Sequence, residues 1–264
     1  MNSNPATAAT PRLSSTIILL REVGQGMEAL MVTRHHQIDF ATGALVFPGG
    51  KLNAGDQDTR VRDRCSGVEG LSDHEVALRV AAIREAFEES GILLARNRGA
   101  LDFVGAAQAT ELGPRYRKEL DTGEIGIADM LAAENIELAC EALVPFAHWI
   151  TPTFLPKRFD TYFYLAVAPA EQIAVHDGKE TVESIWLKPA DALAQTEARQ
   201  RTMVIATLLN VRRLGASTRI ADALQSARSQ SIVTVLPELI PGRETERVMR
   251  IPAEAGYGVT EIAV

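Results

Sequence analysis

The sequence predicts an α+β fold with a helical C-terminal extension, and three observations carry that prediction. Apolar, β-branched runs near the start and in the middle of the chain read as strands. A long segment with clear start and stop signals lies between them and has helical spacing. From Pro189 onward the apolar pattern turns helical, so strands and helices are segregated along the chain. The length of 264 residues and a 46% hydrophobic content suffice for one large domain with its own core, or one domain and an appendage.

Taken in order, residues 1–12 (MNSNPATAATPR) lack an apolar stretch of the kind a secretory signal carries and read as a disordered arm. Residues 14–20 (SSTIILL) and 28–33 (EALMVT), separated by the Gly24-Gln25-Gly26 turn, predict a hairpin. Residues 44–47 (ALVF) predict a short strand ended by Pro48-Gly49-Gly50. The charge-rich stretch that follows Asp56 has no usable period and reads as a loop. Ser72 then looks like an N-cap, with Glu75 completing a capping box, and the helix it opens stops at Gly91. Residues 113–120 and 126–140 read as short helices, whereas 143–151, 161–167 and 184–187 read as strands. One helix is expected over 190–214 and another over 218–229, followed by a tail with short strands. No internal repeat or low-complexity tract is present.

Bulk properties exclude several function classes. With a formal net charge of −7, the chain lacks the concentrated Lys and Arg that a nucleic-acid or anionic membrane surface requires. No apolar run reaches the roughly 18 residues that span a bilayer. Cys65 and Cys140 have neither metal-ligand spacing nor a disulfide framework, which suits reduced thiols and an expected cytoplasmic location. An acidic protein can still bind a phosphorylated small molecule when a metal ion supplies the positive charge.

The chemistry is concentrated in residues 79–94, RVAAIREAFEESGILL. At about 100° per residue, Val76, Val80, Ile83 and Phe87 form one apolar stripe that must face a core. Glu85, Glu88 and Glu89 project from the other side. Like charges at these spacings repel by a few tenths of a kcal/mol per exposed pair. A solvated acidic face is the usual explanation of a bare ExxEE pattern. A site for Mg²⁺ or Mn²⁺ gives a reason to gather the charge, because hard cations prefer carboxylate oxygens.

Gly50, Asp56 and the run Arg84, Glu85, Ala86, Glu88, Glu89, Gly91 and Ile92 together resemble the signature box of the Nudix hydrolases. The box has glycine, then an acid after five residues, then arginine-glutamate and a further glutamate pair ahead of glycine. Asp56 stands at the expected distance from Gly50, and Glu75 is the other candidate for the early acid. About fifteen extra residues separate Asp56 from the helix, compatible with a surface insertion. The insertion, the run AAIREAFEESGILLAR, the later WITP and FDTYFYLA and the tail MRIPAEAGYG also look like the branch typified by the peroxisomal coenzyme A diphosphatase. Its animal members end in a peroxisomal tripeptide, whereas this sequence ends EIAV.

The resemblance implies a Nudix-type α/β/α sandwich with a mixed sheet and a loop insertion inside the box. It implies a domain over 13–190, with insertions near 57–72 and 111–141 and a helical extension over 191–264. It further implies hydrolysis of a pyrophosphate that links a nucleoside to another group. The expected metal ligands are Glu85, Glu88, Glu89 and the Gly50 carbonyl, with Arg84 positioning the acids. The general base could come from the same helix or from Glu180 or Glu183 in HDGKETVESIWL, and Glu180 is preferred. Arg34 and Lys51 are the candidate substrate-binding cations, ahead of Lys157 and Arg158. His35-His36, Phe154, Phe159, Tyr162, Tyr164 and Asp160 read as structural or solvated positions at least as readily as site residues.

The expected partner is a small nucleoside diphosphate derivative, with no nucleic acid and no membrane, and a homodimer is left open. Coenzyme A or an acyl derivative is the narrower expectation, with ADP-ribose, NADH or a dinucleoside polyphosphate as alternatives. A ligand sensor that has lost catalysis is the reading of another class, and the intact Glu85, Glu88 and Glu89 argue against it.

Overall fold

The computed structural model describes residues 9–34, 43–178, 181–241 and 247–263. Its centre is β1 (Arg12–Val23), which pairs antiparallel with β2 (Gly26–Arg34) through the predicted hairpin. The short strands β3 (Leu45–Val46) and β4 (Gly49–Lys51) follow and add to β2 and β1. Strands β8 (Val144–Ile150), β9 (Phe159–Val167), β10 (Thr181–Leu187) and β11 (Thr234–Val235) complete an eight-stranded mixed sheet. Its main path runs β10-β2-β1-β9-β8-β11, and the β1–β9 and β8–β11 pairs are parallel.

The run STIILL in β1 is continuous rather than alternating because both faces of this strand are covered. Ile17 and Leu19 pack into one core with Val80, Ile83 and Phe87, while Ile18 and Leu20 pack into a second core with Leu209, Leu214 and Ala223. The first core belongs to α2 (Asp73–Ser90), and the second to α6 (Ile205–Leu214) and α7 (Ile220–Ser229), which follow α5 (Pro189–Glu197). Helices on both faces of one mixed sheet make the α/β/α sandwich that the resemblance implies.

Several elements differ from expectation, each for a tertiary reason. The stretch after Asp56 is not a loop throughout: it holds a 3₁₀ turn (Ala54–Gln57), α1 (Thr59–Arg62) and β5 (Cys65–Ser66). These pieces are too short to show a period, and β5 exists only because β7 (Ile136–Ala139) pairs with it. The expected helix over 126–140 is α4 (Ile127–Ala133) alone. The chain turns at Asn135, with φ +50°, and β7 joins β5 and β6 (Ala95–Asn97) in a small sheet. The helix expected over 113–120 is longer, α3 (Ala106–Thr122), because Pro114 reads as a helix start yet lies inside it.

The single helix expected over 190–214 is broken over 198–204, where Arg199 has φ +56°. The break docks on the sheet: the Leu45 amide donates to the Thr202 carbonyl at 2.8 Å, and Arg201 pairs with Glu183. The tail strands are β11, already placed, with β12 (Glu238–Pro241), β13 (Arg247–Arg250) and β14 (Glu261–Ala263) in a separate three-stranded sheet. Cys65 and Cys140 are free thiols.

α2 starts and stops where the sequence signals place it. Ser72 and Glu75 form the capping box, and Gly91 closes the helix at φ +74°. The helix is not half wet, however, because every residue from 76 to 90 is buried. Ser15 Oγ donates to the Leu78 carbonyl at 2.7 Å and ties the helix to β1. Phe87 has no exposed surface at the centre of this packing, so Phe87→Ala is expected to lower unfolding free energy by about 3–5 kcal/mol. Urea denaturation measures this, and a loss below ~1 kcal/mol would contradict the packing described.

Candidate active site

Burial of α2 on all sides brings its acidic residues into the protein. Glu85, Glu88 and Glu89 are 8%, 7% and 3% exposed. A solvated acidic face is therefore ruled out as their explanation. The strand that meets them is β4, and it can do so because it carries glycine. A Cβ at Gly50 would lie 2.5 Å from both carboxylate oxygens of Glu85, and one at Gly49 would lie 2.5 Å from the Ser15 carbonyl. The Gly49 amide donates to Glu89 Oε2 at 3.0 Å.

Arg84 organises the cluster. Its Nε and Nη2 donate to the two oxygens of Asp56 at 2.7 and 2.9 Å, a bidentate pair. Nη1 donates to Glu85 Oε1 and Glu88 Oε2, both at 2.9 Å, and Nη2 also reaches the Lys51 carbonyl at 2.9 Å. The five N–H donors of the guanidinium are thus all committed. Burial opposes its charge, but Glu85 and the hydrogen-bonded Asp56 outweigh burial and hold the arginine well above its ordinary pKa.

Asp56 is 2% exposed and doubly held, because its Oδ2 also accepts from the Asn53 amide at 2.8 Å. Glu75, the other candidate for the early acid, is exposed and accepts from Ser72 at the opposite end of α2.

One cation does not satisfy this many acids. The Glu88 carboxyl is pushed up to about 8. Burial is the main cause, Arg84 opposes it, and the neighbouring charges of Glu85 and Asp121 add to it. Glu88 Oε1 is buried and has no hydrogen-bond partner among the described residues. Leaving such an oxygen unpaired costs about 1–3 kcal/mol.

Among the described residues, no group of three or more His, Cys, Asp or Glu side chains stands ready to hold a metal ion. Arg84 draws Glu85 and Glu88 to itself, and Glu89 turns to the Gly49 amide. The donor chemistry nevertheless fits a hard divalent cation, because every candidate ligand is an oxygen and Glu88 Oε1 lacks a partner.

Other expected residues lie farther out. Lys51 is exposed at the end of β4, on the rim of a large cavity, and Lys157 and Phe159 line the same cavity. Arg34 ends β2, its backbone paired with Thr181. Glu180 and His35-His36 lie outside the described residues. Glu183 is not placed among the α2 acids: Arg201 holds both its oxygens at 2.6 and 3.0 Å and Thr33 donates to it, which lowers its pKa. Arg158 is buried and donates to the carbonyls of Thr151 and Ala9, a structural role. Asp160 pairs with His148, which stacks on Tyr162, and Tyr164 is core, whereas Phe154 is exposed.

The sequence reading missed two residues of α3. Arg117 donates from Nε to the Glu88 carbonyl at 2.9 Å, and its Nη2 is buried with no partner among the described residues. Burial lowers its pKa, and Asp177, Glu88 and Glu89 oppose that shift. Asp121 lies one turn on and enters the charge balance of Glu88. Spacing of i, i+4 places both on one helix face, a signal present in the sequence, but nothing local says that this face turns toward α2.

The family model described as the NUDT19 Nudix domain matches residues 61–214. The match begins beyond Gly50 and Asp56, which join the site through their contacts with Glu85 and Arg84. The acyl-coenzyme A diphosphatase NUDT19 of Xenopus laevis is 27% identical over 204 residues, covering 63% of this chain and 54% of that protein. The human protein of that name is 25% identical over 259 residues, covering 83% and 67%. The chain thus spans about half the length of the frog relative. The crystal structure of a Nudix hydrolase from Alicyclobacillus acidocaldarius shares the fold, with a TM-score of 0.69, 24% identity and coverage of 82% of this chain and 96% of that one.

Removing Arg84 tests the electrostatic frame. Arg84→Met would leave Asp56, Glu85 and Glu88 buried without their counter-charge, for an expected loss of about 3–5 kcal/mol in metal-free protein. Denaturant unfolding at neutral pH checks this, and a variant as stable as the parent would show that the cluster is reached by water.

Proposed function

The chain belongs to the NUDT19 Nudix domain family, and from that premise we propose that it is a metal-dependent pyrophosphohydrolase acting on a nucleoside diphosphate linked to another group. The observation that carries the proposal is the buried cluster itself. Glu85, Glu88 and Asp56 surround a fully committed arginine with Glu89 buried beside them, and one oxygen of Glu88 has no partner among the described residues. Such an arrangement is costly for folding alone, and a bound divalent cation removes the cost.

Glu85, Glu88, Glu89 and the Gly50 carbonyl would hold Mg²⁺ or Mn²⁺. When bound, the cation neutralises pyrophosphate oxygens and lowers the barrier to attack at phosphorus. The protein's own residues do the rest. Arg84 orients Glu85 and Glu88, and Asp56 orients Arg84 in turn, so these are positioning residues. Without the cation, Glu88 retains a proton near neutral pH, so metal binding and proton release are coupled there. Glu180 is proposed to take the proton of the attacking water. Arg34 and Lys51 are proposed to meet the substrate's phosphates.

The substrate proposed is coenzyme A or an acyl derivative, cleaved to 3′,5′-ADP and a phosphopantetheine product. The chemistry named for the frog and human relatives supports it. Among the described residues no helix is long and apolar enough to cross a membrane.

Incubation with Mg²⁺ and CoA, ADP-ribose, NADH and diadenosine polyphosphates, with release of AMP or 3′,5′-ADP as readout, tests the assignment. Turnover is expected to stop on chelation and return with Mg²⁺ or Mn²⁺. Glu88→Gln is expected to lower kcat by about 10²-fold or more, equivalent to several kcal/mol of lost charge stabilisation. A panel with no turnover would defeat the hydrolase reading and favour a sensor. Preference for ADP-ribose would redirect only the choice of substrate.

A further inference from the structure

Two arginines bind α2 where it carries the acids, and their donors are spent differently. Arg84 has every N–H committed, so it has none to offer a ligand. Arg117, on α3, uses one: its Nε donates to the Glu88 carbonyl at 2.9 Å. Among the described residues it forms no ion pair, and its Nη2 is buried without a partner. The Glu88 contact has a local explanation. Glu88 lies in the last turn of α2, where carbonyls lack a helical partner and a cation suits the end of the helix. That role needs a single N–H. It leaves four donors on a half-buried side chain, and donors withdrawn from water without acceptors are costly.

The side chain is also held in place. A Cβ at Gly113 would lie 3.6 Å from its Cδ, and one at Gly91 would lie 3.6 Å from its Nη1, so it runs in contact with both glycines. It lines a cavity of about 350 Å³, the smaller of two that reach the acid cluster, between α3 and the chain that follows β9. Asp177, from that chain, is turned to the Thr181 amide and hydroxyl, which donate to its Oδ1 at 2.9 and 2.7 Å. Glu85, Glu88, Glu89 and Asp121 line the cavity as well, so its acids outnumber its cations. A phosphate can therefore settle there only when a divalent cation offsets the carboxylates.

Building on the pyrophosphohydrolase reading, we propose that Arg117 is a substrate-binding residue. Its unspent Nη donors take an oxygen of the substrate's phosphoryl group on the α3 side of the acid cluster. Its Nε bond to the Glu88 carbonyl fixes the guanidinium relative to the helix that carries the acids. A charge-assisted hydrogen bond from a side chain already shielded from water is stronger than one from the exposed Lys51 or Lys118.

The probe is imidodiphosphate, a pyrophosphate analogue whose bridge resists hydrolysis, and its Kd is measured by calorimetry with Mg²⁺. The parent is expected to bind it with Mg²⁺ and to lose it on chelation. Arg117→Gln keeps a donor for the Glu88 carbonyl and removes the charge, for an expected weakening of about tenfold or more. Arg117→Lys keeps the charge but has one nitrogen for both carbonyl and phosphate, for an expected weakening of about threefold or more. Mn²⁺ affinity without the probe, read by electron paramagnetic resonance, is expected not to fall in either variant, which separates a phosphate contact from a disturbed metal site. Thermal unfolding identifies a variant that fails to fold and leaves the other decisive. A parent that does not bind the probe, a folded variant with the parent's Kd, or a weakening matched by an equal loss of Mn²⁺ affinity would overturn the proposal.

Turnover separates this proposal from the reading it rests on. If imidodiphosphate binds through Arg117 and no nucleoside diphosphate derivative is hydrolysed, the hydrolase reading falls and the phosphate contact stands. If hydrolysis proceeds and folded Arg117→Gln keeps the parent's KM and Kd, the contact alone falls.

Discussion

The structure depends on one buried guanidinium. Arg84 lies on α2 with 3% of its side chain exposed, and its donors reach Asp56, Glu85, Glu88 and the Lys51 carbonyl. Those partners come from the helix, from the end of β4 and from the turn after it, so one side chain fixes the three pieces relative to one another. Four carboxylates, counting Glu89, would not tolerate burial together without it. Arg84 does not finish the task either, because Glu88 Oε1 has no partner among the described residues and the carboxyl is pushed up to about 8. The frame is stable enough to hold the acids and incomplete in a way that favours a further positive charge.

Everything around the cluster serves to bury it. Because β1 is covered on both faces, the sheet has α2 on one side and α6 and α7 on the other. β4 lies beside α2 with glycine at the two positions where side chains would collide with Ser15 or Glu85. On the far side, Gln172 accepts from the Leu93 amide and donates to the carbonyls of Leu93 and Val104, which pins the chain after β9 to the segment after α2. The Val175 amide then donates to the Ser90 carbonyl. Two cavities thus reach the acids, and the C-terminal segment builds part of the larger.

The gap between expectation and structure follows from the range of the interactions involved. Strands 14–20 and 28–33 and the ends of α2 were legible because hairpin chemistry, a capping box and a C-terminal glycine act over a few residues. β5 and β7 were not, since each is stabilised by a partner about seventy residues away. The break at 198–204 was hidden for the same kind of reason: its composition is compatible with helix, and contacts with Leu45 and Glu183 override it. In the site, spacing placed Glu85, Glu88 and Glu89 on one helix face, opposite the apolar stripe, but carried no sign that this face too is buried. Arg117 and Asp121 could not be found, because nothing near them in the chain points to α2.

By itself the sequence determined that acids gather on one face of α2 and how they are spaced, because helical geometry converts spacing into direction without outside help. It also determined that Gly50 and Asp56 belong with that helix, through a pattern of residue types. Tertiary structure alone decided that the acids are buried, that Arg84 joins Asp56 to Glu85 and Glu88, and that the C-terminal segment walls the larger cavity. Charge is felt according to the dielectric around it, and that environment exists only when distant parts of the chain close over the site.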